Sequence, residues 1–318
     1  SVEAAAASTA EVFANGAFER ELDIISAKTS MYDKQIYINT PDGEVNRMAN
    51  IWLKRLMDLG KTWGRVYNMG FRDIMQDIMG FIQLDAEMSR EKIVEYLQYQ
   101  KEDGNTLRSW VPLDLDPYRD GATWMLSTVM TYVKETDDIS VLDEPVGYWE
   151  SNITESVFEH CVRGADFLHR EVGECGLCLW GGGDWNDSYD GAGLKMVGES
   201  VWLSIAAVKA TKDFVELLNH IGKTELAKSY EKKNEKMIDN IYKYGWDKDH
   251  FIYGINDWRE KVGSYDTEDA KICLNPQTWA VIAGIAEDEQ KLLDLVEDKL
   301  KCDFGYVQCT PSYSKPNA

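Results

Sequence analysis

The sequence holds no run of about 18 consecutive apolar residues, the length a helix needs to cross a bilayer, and no secretory h-region. It therefore reads as a cytoplasmic protein with no membrane association. It has no glycine-rich phosphate loop, no dinucleotide-binding fingerprint and no serine elbow, so it offers none of the chemistries those motifs mark. Cations are scarce: 34 Lys and Arg face 55 Asp and Glu, a net charge of −21. A charge this negative argues against nucleic acid or an anionic membrane as partner and suits a neutral substrate. The six cysteines include a single CxxC, Cys175 and Cys178, with no second Cys or His pair to complete a zinc set. They read as free thiols in a reducing compartment. His160, His169, His220 and His250 are scattered with no metal spacing. No metal or organic cofactor is expected.

Apolar residues make up 44% of the 318, enough for a substantial core, and Trp (11) and Tyr (16) are unusually many. Core packing accounts for more than half of them; the rest suit stacking on the apolar face of a sugar ring. Periodicity is helical throughout. Ser89–Gln100 carries an amphipathic stripe through Ile93, Tyr96 and Leu97. Ala122–Val133 is apolar on nearly every side, as a buried helix would be. Helices are also expected over Ser151–Glu171, Glu199–Leu218, Lys223–Tyr242, Pro276–Ile285 and Asp288–Leu300, with Gly222 closing one and Pro276 suited to a first turn. One hairpin is expected at Trp246–Tyr253. Long polar loops cover 101–119, 177–197 and 255–271, and helix pairs recur every roughly 40–60 residues, the signature of helical hairpins rather than βαβ units. Residues 1–40, with a weaker pattern, read as a linker or N-terminal helical segment, and 41–318 as the main domain. Both ends of the sequence read as cut.

Four segments could carry chemistry. In Trp180-Gly181-Gly182-Gly183-Asp184-Trp185-Asn186-Asp187, three glycines in a row make sense where the chain turns sharply or approaches a ligand closely. Two carboxylates then bracket an indole. Glycoside cleavage needs an acid for the leaving oxygen and a surface for the ring, and a carboxyl desolvated beside Trp can stay protonated near neutral pH. The competing reading is a polar turn or a calcium loop, although the spacing departs from an EF-hand. In Gly70-Phe71-Arg72-Asp73 with Gln76 and Asp77, Asp73 and Asp77 share a helical face and Arg72 could hold a carboxylate or hydroxyls in a fork. A solvated first turn is the competing reading there. Glu199, in Gly198-Glu199-Ser200, is either a first-turn acid or a second active-site carboxylate. Gln277, in Asn275-Pro276-Gln277, either packs or lines a cleft.

Taken in order, Gly70-Phe71-Arg72-Asp73 with Gln76-Asp77, Tyr132–Pro145, Asp184-Trp185-Asn186-Asp187, Gly198-Glu199-Ser200 and Asn275-Pro276-Gln277 resemble the cellobiose phosphorylases, the inverting β-glycoside phosphorylases of glycoside hydrolase family ninety-four. The resemblance covers about residues 45–315. It implies an all-α fold, an (α/α)6 barrel or toroid, incomplete here, with its site at one mouth. It implies cleavage of a β-linked gluco-oligosaccharide by inorganic phosphate with inversion, with Asp187 as general acid and Trp185 and Asp73 on the donor sugar. Arg72, Asp184, Glu199 and Gln277 are carried as further substrate contacts. Phosphate replaces the activated water of an inverting hydrolase, so one protein carboxylate suffices. The resemblance also implies a homodimer.

Three departures stand out. The family's Arg five residues before the Phe-Arg arginine is Tyr67 here; the N-terminal β-sandwich has no counterpart; and the family's chain continues into a His and a Thr-Gly pair that bind phosphate. Two other readings follow from the residues. One is a β-glucan hydrolase with Glu199 or Asp73 as base, about 6.5–9.5 Å from the acid. The other is an inactive sugar-binding remnant.

Overall fold

A computed structural model describes residues 2–63 and 69–314. Among the described residues twelve α-helices follow one another: α1 (Val2–Val12), α2 (Ala17–Gln35), α3 (Gly43–Arg47), α4 (Lys54–Trp63), α5 (Phe71–Phe81), α6 (Ala86–Leu97), α7 (Gly121–Thr136), α8 (Val157–Arg170), α9 (Val201–His220), α10 (Thr224–Asn240), α11 (Leu274–Ile282) and α12 (Glu289–Leu300). The expected helices are all present, with ends moved by a few residues. Among the described residues, no helix is long and apolar enough to cross a membrane.

Hydrophobic pattern sorts these helices into two layers. α7 and α9 are apolar almost all round, so each buries most of its surface. They lie in an inner row in which α5 packs on α7, α7 on α9 and α9 on α11. α6, α8, α10 and α12 cover that row from outside, α10 against α9 and α12 against α11. α10 shows why it is an outer helix: it buries only Ala227, Tyr230, Asn234 and Met237, one face at helical spacing. Side-chain caps set several helix starts. The Asp85 side chain accepts from Met88 N–H at 3.0 Å, Ser200 from Leu203 N–H at 2.9 Å and Asp288 from Lys291 N–H at 3.0 Å. The mostly helical fold is as expected, and among the described residues the two layers form no closed barrel.

The expected hairpin is present as Trp246–Asp247 paired with His250–Phe251. Other short pairs were not foreseen: Pro145–Gly147 with Thr154–Ser156, Glu199–Ser200 with Gly254–Ile255, and Ile272–Cys273 with Cys309–Thr310. Two- and three-residue strands are too short for a period of two to register in sequence. At the N-terminal end, α2 is tied to α4 by polar contacts. Tyr32 Oη donates to Asp58 at 2.8 Å and Lys28 pairs with the same carboxylate at 2.6 Å. The buried Lys54 ammonium donates to the Tyr32 carbonyl at 3.2 Å.

The consequence for function is directional. The inner helices begin at the same end of the molecule, with Gly70–Asp73, Glu199–Ser200 and Asn275–Gln277 at their starts. Trp124 of α7, Trp202 of α9 and Trp279 of α11 meet there with centroids 5.4–6.4 Å apart. Side chains far apart in sequence are thereby gathered at one mouth.

Candidate active site

A cleft of about 980 Å3 opens at this mouth. Leu53, just before α4, and Leu56 and Leu59 of α4 give it an apolar wall; α5 faces it with Arg72, Asp73, Gln76 and Asp77; Trp185 and Asp187 close the other side. Asp73 and Asp77, four residues apart, do share the face that lines it.

Arg72 organises the centre. Its Nη2 donates to Asp187 Oδ1 at 2.6 Å, and its Nη1 donates to the Asp184 carbonyl at 2.6 Å and to Asp120 Oδ2 at 3.2 Å. Only 16% of its side chain is exposed. Burial alone would lower the guanidinium pKa, but Asp120 and then Asp187 outweigh it and raise the value well above the ordinary one. Asp120 Oδ2 also accepts from Trp124 Nε1 at 2.8 Å. Trp124 in turn lies 5.7 Å from Trp185, which stacks on Trp202 at 5.6 Å and meets Trp279 edge-on at 5.9 Å. Three indoles thus hold the fourth with 36% of its surface open to the cleft.

Asp187 begins a single 3-10 turn and is 60% exposed on its side chain. The desolvation expected of a carboxyl in this motif falls on its neighbour instead. Asp184 is fully buried, and burial pushes its carboxyl up to about 7 although hydrogen bonds oppose the shift. Its Oδ1 accepts from Tyr253 Oη at 2.8 Å and Asn186 N–H at 3.0 Å, and its Oδ2 from Ser200 Oγ at 2.7 Å. It anchors the loop from beneath.

The glycines upstream have two separate reasons. Gly181 has φ +63, and a Cβ there would lie 2.5 Å from the Pro117 carbonyl oxygen. At Gly183 a Cβ would lie 2.6 Å from Tyr118 Cζ. Close approach is to the protein's own loop, and it presses the Tyr118 ring towards the acid. Tyr118 Oη is buried with no well-formed hydrogen bond among the described residues, and burial, then the charge of Asp187, raise its pKa.

Glu199 and Gln277 do not line the cleft. Glu199 is fully buried, accepting from Cys175 N–H at 3.1 Å, Leu177 N–H at 3.1 Å and Arg259 Nη1 at 2.8 Å. The cause is strand alternation: Glu199 and Ser200 are adjacent in extended chain, so Ser200 turns to Asp184 and Glu199 to the opposite side. Gln277 is fully buried and clamps the hairpin to α11. Its Oε1 accepts from Phe251 N–H at 2.8 Å, and its Nε2 donates to the carbonyls of Phe251 at 2.7 Å and Cys273 at 2.9 Å. Tyr67 lies outside the described residues.

The Glycosyl hydrolase 94 superfamily, catalytic domain, matches residues 30–318. The chain belongs to this family. A solabiose phosphorylase of Paenibacillus borealis is 36% identical over 98% of this chain and 41% of its own length. A 3-O-β-D-glucopyranosyl-β-D-glucuronide phosphorylase of the same organism is 30% identical over 87% of this chain and 37% of its own. The chain thus spans about two-fifths of the length of the curated relatives it matches. Among solved structures, a rhamnosidase from Klebsiella oxytoca with rhamnose bound superposes with a TM-score of 0.58 at 12% identity, over 83% of this chain and 49% of that one. That likeness concerns the fold alone.

Arg108, Tyr118 and Asp120 also line the cleft of this family 94 chain and were missed in sequence. A signal was present. Tyr118-Arg119-Asp120 before α7 repeats the aromatic-Arg-Asp order of Phe71-Arg72-Asp73 at the start of α5. The repeat reflects two inner helices that enter the same mouth. The arginines diverge: Arg72 faces the cleft, whereas Arg119 pairs with Glu171 at 2.8 Å.

Proposed function

We propose that this chain forms the acid-bearing part of an inverting phosphorylase that cleaves β-linked gluco-disaccharides or short oligosaccharides. One observation carries the reading: Asp187 stands in the same cleft as Asp73 and Trp185, held by the Arg72 fork at 2.6 Å. Trp185 offers its exposed face to the donor ring, and Asp73 accepts from the ring hydroxyls. Asp187 passes a proton to the leaving sugar's oxygen while inorganic phosphate attacks the anomeric carbon from the other face, giving a glycosyl phosphate of inverted configuration. Family membership and the names of the relatives support phosphate as the nucleophile.

Arg72 orients the acid. Asp184, Glu199 and Gln277 act as positioning residues, because every one of them spends its acceptors inside the protein. Glu199 in particular is spoken for by two backbone N–H groups and Arg259, which makes it a poor base for water. The test is disaccharide cleavage with and without inorganic phosphate in the protein that carries this chain. Glycosyl phosphate is expected only with phosphate. Asp187→Asn is expected to cut the rate by about 10²–10⁴-fold, the range of general acid catalysis, with sugar binding retained. Equal rates without phosphate, or full activity in the variant, would refute the reading.

A further inference from the structure

All six cysteines are free thiols, and the fold pairs two that the sequence keeps far apart. The CxxC thiols are committed to different partners: Arg259 Nη2 donates to Cys175 Sγ at 3.0 Å, and Cys178 Sγ donates to the Leu168 carbonyl at 3.3 Å. Cys273 and Cys309 instead stand directly opposite each other where Ile272–Cys273 pairs with Cys309–Thr310. The Leu274 N–H donates to the Gln308 carbonyl at 2.9 Å, which leaves the Cys273–Cys309 step without ladder bonds of its own. Opposed residues at such a step have Cα atoms about 4.5 Å apart and side chains on one face. That spacing falls within the range of about 4.4–6.8 Å that a disulfide spans. Burial pushes the Cys273 thiol up to about 12, and the charge of Cys309 adds to the shift, so each sulfur sits in the field of the other.

The pair also reaches the acid. Cys273 Sγ lies 3.5 Å from Tyr189 Oη, and Tyr189 ends the turn that Asp187 begins. The Tyr189 ring is buried against Tyr253 at 4.5 Å and Trp180 at 5.8 Å, so its hydroxyl has a fixed place. A change at the Cys273 sulfur is therefore passed to the Asp187 turn through one side chain.

We infer that Cys273 and Cys309 are a redox modification site: a small disulfide oxidant of the glutathione class joins them, and the bond slows cleavage by loosening the Asp187 turn. The inference rests on Asp187 as the acid and not on phosphate as the nucleophile. Cys309, the less buried of the two, attacks first as a thiolate, breaks the oxidant's S–S bond and expels one small thiolate. The Cys273 thiolate then attacks Cys309 Sγ and expels the second. The protein gives up two electrons and two protons, and the oxidant leaves as two small thiols. Burial of Cys273 makes the second attack slow, so the dithiol survives brief exposure and closes under sustained oxidation. Closure turns Cys273 Sγ from Tyr189 to Cys309 and removes its proton. The Tyr189 hydroxyl loses that partner, and the turn that carries the acid loses a tether.

The test treats the protein that carries this chain with oxidised glutathione and follows tryptic peptides and disaccharide cleavage together. A Cys302→Ser background is used, because Cys302 shares a tryptic peptide with Cys309. The peptides that carry Cys273 and Cys309 are expected to appear joined, with the loss of two hydrogens. Cleavage is expected to slow by about tenfold, and dithiothreitol to reverse both changes. Cys309→Ser and Cys309→Ala are expected to keep the untreated rate and to lose the cross-link and the slowing alike. Unjoined peptides, a joined pair at full rate, or a slowing that persists in both variants would overturn the inference. The peptide map needs no activity, so Asp187→Asn at full rate would sink the acid assignment and leave the cross-link readable, which separates the two failures.

Discussion

Replacing Asp184 with Asn converts a buried titrating group into a neutral mimic of its protonated form. In the parent, burial raises this carboxyl from 3.8 to about 7. The unfolded chain ionises it near the ordinary carboxylate value, so the folded state loses ground as pH rises from about 4 to about 7. A displacement of about three pH units corresponds to about 4 kcal/mol at about 1.4 kcal/mol per unit. This stabilisation is fully present below pH 3.8 and gone above about 7. Asn keeps an oxygen for Tyr253 Oη and the Asn186 N–H, and its amide N–H reaches the Ser200 hydroxyl as the protonated acid would.

Asp184→Asn should therefore match the parent near pH 4 and exceed it by up to about 4 kcal/mol at pH 8. Urea denaturation at several pH values measures the difference, and other titrations cancel between the two proteins. A gap that stays constant with pH, or that narrows as pH rises, would show that Asp184 is not a desolvated acid. Activity gives a second readout. Because Asp184 fixes the loop that carries Trp185 and Asp187, the variant should change kcat by less than the loss of the acid does.

Further outcomes follow from the same geometry. Arg72→Lys keeps a charge but loses the fork that reaches Asp187, Asp120 and the Asp184 carbonyl together; kcat/KM should drop by about 100-fold, with little change in fold. Gly183→Ala should press on Tyr118, lower stability by about 1–3 kcal/mol in thermal unfolding and slow turnover through the displaced acid loop. Glu199→Gln leaves Arg259 without its buried partner and should cost about 3 kcal/mol in a denaturation curve. If Glu199 were instead a catalytic base, the variant would keep its stability and lose its rate.

Helix identity was written into the sequence because each helix needs only its own residues: an apolar stripe for α10, apolar residues on all sides for α7 and α9, an Asp or Ser before the first turn. The cleft core of Arg72, Asp73, Trp185 and Asp187 was also legible, since each belongs to a short motif that stands before or within one helical turn. What the sequence could not show was direction. Glu199 looked as acidic and as well placed as Asp187, but one residue of strand alternation turns it into the body of the protein. Asp184 and Asp187, three apart in one loop, meet opposite surroundings: the first is buried and the second is exposed in an ion pair. Tyr118 and Asp120 joined the site only when α7 packed beside α5. A side chain's chemistry is local, whereas its burial, its partners and the cavity it faces depend on the elements packed around it.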